Sequence, residues 1–194
     1  MLKTTFVLFA ALWMTGCATN RPASLDTPVH SEKGIIYRYQ YAMTSPDSQP
    51  GMEFKDGMIF CRVLPGELSI GLDIINLSDA PITIDWNEVR LIDPEGGSHR
   101  ILHNMVLLRD LHRTHTPTVI MPQGVLNESV APMDYAFLDF SGWQQRPIFP
   151  KTEEALEFNG LKYGVSLPVK TEERVSTYLF EIEVTGVTRD VIVR

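Results

Sequence analysis

The sequence predicts an all-β globular body, an antiparallel β-sandwich of seven to nine strands. Three observations predict it. Apolar residues recur at every second position along five segments. Gly, Pro and Asp turns bound those segments. Only Thr152 to Phe158 has a helical pattern, and only for about two turns. Strand side chains alternate between faces, so each segment offers one apolar and one polar face. Such strands bury their apolar faces by packing two sheets together.

The elements follow in chain order. Ile35, Tyr37, Tyr39, Tyr41 and Met43 alternate with Arg38 and Gln40. A shorter candidate covers 58–64. Leu68, Ile70, Leu72 and Ile74 alternate with Ser69, Gly71 and Asp73. Ile82, Ile84 and Trp86 then put the apolar set on even positions, whereas Val89 and Leu91 put it on odd ones. An uninterrupted strand cannot turn both sets inward, which predicts a bulge near Asn87-Glu88. Shorter strands are expected at 100–107, 117–121 and 125–130. Near the C-terminus, Leu161, Tyr163, Val165 and Leu167 should face Val184, Ile182, Phe180 and Tyr178 in a hairpin, with Lys162 opposite Glu183. Between Pro132 and Pro150 lie Tyr135, Phe137, Phe140, Trp143 and Phe149. Five exposed rings would be an aggregation hazard. The stretch is therefore expected to be a strandless loop folded over the end of the sandwich, with Trp143 buried. Exposed instead, Tyr135, Phe140 and Trp143 would be a partner-binding site.

Composition narrows the function classes. The chain has 194 residues, 44% of them hydrophobic, and a formal net charge of −7. That suits one domain with a real core. Acidic balance without a basic run argues against nucleic-acid binding, which needs clustered Lys and Arg. Two cysteines, Cys17 and Cys61, do not make a disulfide scaffold. Cys61 sits between Ile59 and Val63 at strand spacing and reads as a buried, inert thiol.

The N-terminus has its own pattern. Lys3 precedes an apolar run from Phe6 to Met14, followed by Thr15, Gly16 and Cys17. The run is too short to span a bilayer, which takes ~20 residues, but it has the size of a signal-peptide core. Met14-Thr15-Gly16-Cys17 resembles the lipobox of bacterial lipoproteins, with Met14 in place of the usual Leu. The resemblance implies cleavage before Cys17, diacylglycerol on its sulfur and a further acyl chain on the freed amine. Several chains anchor stably where one does not. Ala18, rather than Asp, implies the outer membrane. Removing residues 1–16 takes away Lys3 and no acid, leaving 16 basic against 24 acidic residues. The expected organisation is a signal peptide over 1–16, the acylated cysteine and a polar tether over 17–33, and the sandwich over 34–194.

From Leu68 to Gly97, a strand ends in Asn, a polar turn with Pro follows, and a second strand ends in Asp before a Gly turn. This layout resembles immunoglobulin-like domains of bacterial envelope proteins. The stretch through Ser98-His99-Arg100, Pro122, Trp143 and Pro147 is similar to Gram-negative lipoproteins of no assigned activity. The resemblance implies an immunoglobulin-like sandwich and no reaction.

Candidate chemistry is sparse. His99, His103, His112 and His115 crowd together and are the candidate metal ligands. On a strand, 99 and 103 lie ~13 Å apart, too far to share one ion at ~2 Å bonds. Asp85, Glu88, Asp93 and Glu95 are the candidate acids for a glycan or peptide hydrolase, but Asp93-Pro94-Glu95-Gly96 is good turn chemistry. No G-x-S-x-G, H-E-x-x-H or phosphate-binding glycine loop occurs. The expected function is therefore non-enzymatic and without a cofactor: a lipid-anchored protein facing the periplasm that binds or scaffolds other envelope proteins.

Overall fold

The computed structural model describes residues 26–30, 34–47, 51–103 and 113–191. Cys17, the apolar run before it, and His112 lie outside them. The described residues form fourteen strands: β1 (Asp26–His30), β2 (Ile35–Ser45), β3 (Glu53–Lys55), β4 (Ile59–Pro65), β5 (Ile70–Asn76), β6 (Ile82–Ile84), β7 (Arg90–Ile92), β8 (Ser98–His103), β9 (Thr118–Ile120), β10 (Val125–Pro132), β11 (Ala136–Asp139), β12 (Gly142–Gln145), β13 (Lys162–Lys170) and β14 (Val175–Val191). A 3₁₀ turn, Met133–Tyr135, follows β10, and a 3₁₀ helix, Glu153–Phe158, stands where the two helical turns are expected. Among the described residues no helix is long and apolar enough to cross a membrane.

All pairings are antiparallel, and the fold is all-β and sandwich-like. Twelve strands join one sheet in the order β1-β2-β14-β13-β7-β8-β10-β5-β4-β3, with β6 on β13 and β9 on β6. The sheet curls into a near-barrel instead of dividing into two separate sheets. β8 makes the turn between layers. Its Ser98–Arg100 half pairs with β7, and its Ile101–His103 half pairs with β10. Strands that switch sheets form the corners of such packings. Across the core, Phe54 of β3 meets Tyr178 and Phe180 of β14, with ring centroids 5.5 and 5.9 Å apart.

Period two does what it should. Tyr37, Tyr39, Tyr41 and Met43 on β2 are buried, as are Ile70, Leu72 and Ile74 on β5. Burial of their apolar surface, at about 25 cal/mol per Å², drives the layers together. The β13–β14 hairpin has the expected register: Leu167 faces Tyr178, Val165 faces Phe180, Tyr163 faces Ile182, and Lys162 faces Glu183. Lys162 nonetheless reaches diagonally to Glu181 at 2.8 Å. Buried Cys61 keeps its thiol, with burial and then Asp73 pushing its pKa up to about 12.

Four expectations change. The phase shift near Asn87 is a turn rather than a one-residue bulge. β6 and β7 both lie along β13, with 85–89 looping out opposite Leu167 and Pro168, and Glu88 N–H closes the turn on Asp85 O at 2.9 Å. Pro168 brings no N–H to the ladder, which favours the break there. The sheet also starts inside the expected tether, because β1 pairs with β2 from Asp26 to His30. Pro28 is tolerated on such an edge strand. Leu68 falls outside β5 and is exposed. Lastly, the stretch 132–150 is not strandless. β11 and β12 form a hairpin of their own, with Leu138 opposite Trp143 and Phe137 opposite Gln144.

Candidate functional site

The three described histidines of the sequence cluster, His99, His103 and His115, do not form one site. His99 leaves the group. Its Nε2 lies 2.7 Å from Asp93 Oδ2, and its Nδ1 lies 2.8 Å from Asp134 Oδ2. Asp93 Oδ1 in turn accepts from the Gly97 N–H at 2.6 Å. The turn Asp93–Gly97 is thereby latched to the 3₁₀ turn that leads into the β11–β12 hairpin. With a carboxylate on each ring nitrogen, His99 has no lone pair free for a metal. Burial works against its charge, but the bonds to Asp93 and Asp134 outweigh that and raise its pKa above the usual value.

His103 and His115 stay together in a buried pocket. His103 stacks on Trp86 with centroids 4.8 Å apart, and His115 tilts against it at 5.0 Å. His103 Nδ1 lies 3.4 Å from Glu128 Oε2, and all three residues are buried. Among the described residues neither ring nitrogen of His115 has a hydrogen-bond partner. Burial, followed by the charges of His103 and Arg100, holds its pKa below the usual value, against the pull of Asp85. Asn87 fixes the backbone on the other side: its Nδ2 donates to His115 O at 2.8 Å and its Oδ1 accepts from His115 N–H at 2.9 Å. Trp86 Nε1 donates to Thr118 Oγ1 at 2.8 Å. Among the described residues no group of three His, Cys, Asp or Glu is arranged to hold a metal ion.

The candidate acids do not converge either. Asp85 and Glu88 share Lys170, at 3.8 and 2.9 Å. Asp93 is committed to His99, and Glu95 lines a cleft of about 480 Å³ with Arg146 and Tyr163.

The two histidines have opposite consequences for stability. His99 has a raised folded pKa, so its contribution is complete below the unfolded value of ~6.5 and disappears as pH rises through the folded value. His115 has a lowered one, so its contribution is complete above ~6.5 and is lost as pH falls through the folded value, at most ~1.4 kcal/mol per pH unit. His99→Gln should therefore narrow its gap to wild type above pH 6.5. His115→Gln should relieve an acid-side loss between pH 6.5 and 5. Urea unfolding across pH 5–8 separates the two. Parallel curves for both variants would contradict the assigned charge states.

Of the three aromatic candidates, Phe140 and Trp143 are exposed and Tyr135 is half-buried, against the burial expected of Trp143. Trp143 is 41% exposed, Leu138 66%, and Phe140 stands fully in solvent at the turn. The sequence signal for this hairpin is the Asp139–Gly142 turn. Asp139 Oδ1 accepts the Ser141 N–H at 2.7 Å, and Gly142 takes φ +112°, which favours glycine. The hairpin so formed leaves the Trp143 ring partly in solvent. Only its base is tied down. Gln145 Nε2 donates to Leu68 O at 2.6 Å, and half-buried Tyr135 carries the Arg146 guanidinium 4.8 Å above its ring. Of the loop's five rings, Phe149 alone is fully buried.

A second apolar patch went unread in the sequence. Val119, Met121 and Val125 are exposed around the turn from β9 to β10. Among the described residues β9 pairs only with β6, so its outer edge is open. β10 runs from this patch to the hairpin, so the two surfaces lie at its opposite ends. A strand of eight residues spans ~26 Å.

Comparison with protein-family models finds no match. Comparison with curated proteins finds none either.

Proposed function

We propose that this chain is a bacterial envelope lipoprotein, anchored through lipid on Cys17, whose β-sandwich binds or scaffolds other envelope proteins from the periplasmic face of the outer membrane. One observation carries the reading: Lys3, the apolar run Phe6–Met14, two small residues and Cys17 stand in the order and at the distance of a lipoprotein leader. The acidic body accords with a protein that avoids nucleic acid. The open edge of β9, with Val119 and Met121 beside it, offers a protein partner both main-chain groups and apolar side chains, the two ingredients of strand addition.

Cys17→Ser should abolish incorporation of labelled palmitate and move the protein out of the membrane fraction. Retention in that fraction without label would mean that the run 6–14 is itself an uncleaved anchor, and the proposal would fail. Crosslinking in native membranes addresses the scaffold role. Val119→Lys with Met121→Lys should remove the crosslinked product while leaving the unfolding midpoint within a few degrees of wild type.

A further inference from the structure

We propose that the β11–β12 hairpin is a membrane-docking element, with Phe140 at its tip and the Leu138–Trp143 pair behind it seated in the interface of the bilayer to which Cys17 holds the chain. The assignment rests on the lipoprotein reading above.

Among the described residues β11 and β12 pair only with each other, and none of their eight residues is buried. Two strands alone are marginal in water, so a hairpin carrying Phe137, Leu138, Phe140 and Trp143 into solvent gains by being covered. Its chemistry selects the cover. From Ala136 to Gln145 the only charged residue is Asp139, and its carboxylate accepts the Ser141 N–H at the turn. What remains at the tip is phenyl, isobutyl and indole, the side chains that partition to the boundary of headgroups and acyl chains. Glutamines 144 and 145 sit at the base, where headgroups and water would meet them. Between Ala136 and Gln145 no cation is presented, and Arg146 at the base is held over Tyr135, so docking should depend little on salt.

The anchor brings the bilayer to this end of the molecule. Asp26 pairs with Gln40, next to Tyr39. The Tyr39 hydroxyl donates to Pro150 O, and its ring packs on Phe149, 5.3 Å away. Phe149 and Pro150 are the exit of the segment that carries the hairpin. Cys17 is nine residues before Asp26, a reach of ~30 Å at full extension. The acyl chains are thus held within one tether length of Asp26, on the strand pair that packs through Tyr39 against the exit of the hairpin segment. A second contact with the same bilayer then becomes intramolecular and needs little affinity of its own. Docked this way, the β9 edge at the far end of β10 points away from the membrane surface.

The test uses the full acylated protein in phosphatidylcholine vesicles, with and without lipids brominated on the acyl chain. Trp86 is buried and Trp13 leaves with the signal peptide, so Trp143 dominates quenching, and Trp143→Phe verifies its share. The expected result is at least twofold quenching of the Trp143 signal by brominated lipid, unchanged between low and high salt and lost in the double variant Leu138→Ser, Phe140→Ser. An unquenched Trp143 that remains open to acrylamide overturns the proposal. So does a Trp143 protected in native membranes yet open in pure-lipid vesicles, since a protein would then be its cover. Mass spectrometry of the same sample reads Cys17 independently, and an unmodified thiol overturns the lipoprotein reading whatever Trp143 reports.

Discussion

Trp86→Ala should cost about 3–5 kcal/mol of stability, the scale of deleting a large buried ring. Trp86 is the largest fully buried side chain in the molecule's described residues, and it does three jobs at once. It fills the core below the turn that separates β6 from β7. Its face supports His103 at 4.8 Å, and its Nε1 holds Thr118 of β9. Alanine would leave a void that the neighbours cannot close, because His103 and His115 are pinned by Glu128 and Asn87. Domains commonly have only 5–15 kcal/mol in total, so the loss would be a large fraction of it. In a thermal scan it should read as roughly 6–20 °C, at about 2–4 °C per kcal/mol for a chain of this size. Trp86→Phe keeps a ring against His103 and forfeits the bond to Thr118, so it should lose only about 1–2 kcal/mol. If the alanine variant unfolds within 1 kcal/mol of wild type, the residue is not the keystone of this turn.

Where a residue's environment is decided by its immediate neighbours, the sequence announces it. The β13–β14 register follows from alternation on both strands, since a slip by one would expose Val165, Leu167 and Phe180 together. The phase change after Trp86 was legible for the same reason. Its form was not, because a bulge and a looped turn reset the phase equally well; the choice depends on Pro168 in a partner strand about eighty positions away. The same limit explains Trp143. Hydrophobicity says that an indole gains by burial but not which surface buries it, and the hairpin built on Asp139 and Gly142 leaves the ring partly exposed. The histidines separated because one strand, β8, changes layers between His99 and His103, and no local pattern marks that crossing. The proposed lipidation is the opposite case: its signal lies wholly in residues 3–17.

Asn76 is the polar counterpart of Trp86, and Asn76→Leu should cost about 2–5 kcal/mol despite its similar size. The residue ends β5 and is fully buried. Its Nδ2 donates to Ala80 O at 2.8 Å and to Ile120 O at 2.9 Å, while its Oδ1 accepts from Ser78 N–H at 2.9 Å. One amide thus satisfies the β5–β6 turn and reaches across to β9 in the other layer. Its backbone joins the same corner, donating to Gly124 O at 3.0 Å and accepting from Gln123 N–H at 2.9 Å. Leucine fills the volume but deprives those groups of partners, at about 1–3 kcal/mol for each one left buried and unpaired. Asn76→Asp discriminates lost packing from lost hydrogen bonds. A carboxylate can accept from Ser78 but cannot donate to two carbonyls, and burial beside them must raise its folded pKa. A raised carboxyl pKa means that the folded state holds its proton more tightly than the unfolded one. The Asn76→Asp variant should therefore regain stability relative to wild type as pH falls from 7 towards the unfolded value of ~3.9, where the protonated acid can donate again. A deficit independent of pH over that range, measured by urea unfolding, would mean that these carbonyls do not depend on the Asn76 amide and that the corner is held by packing alone.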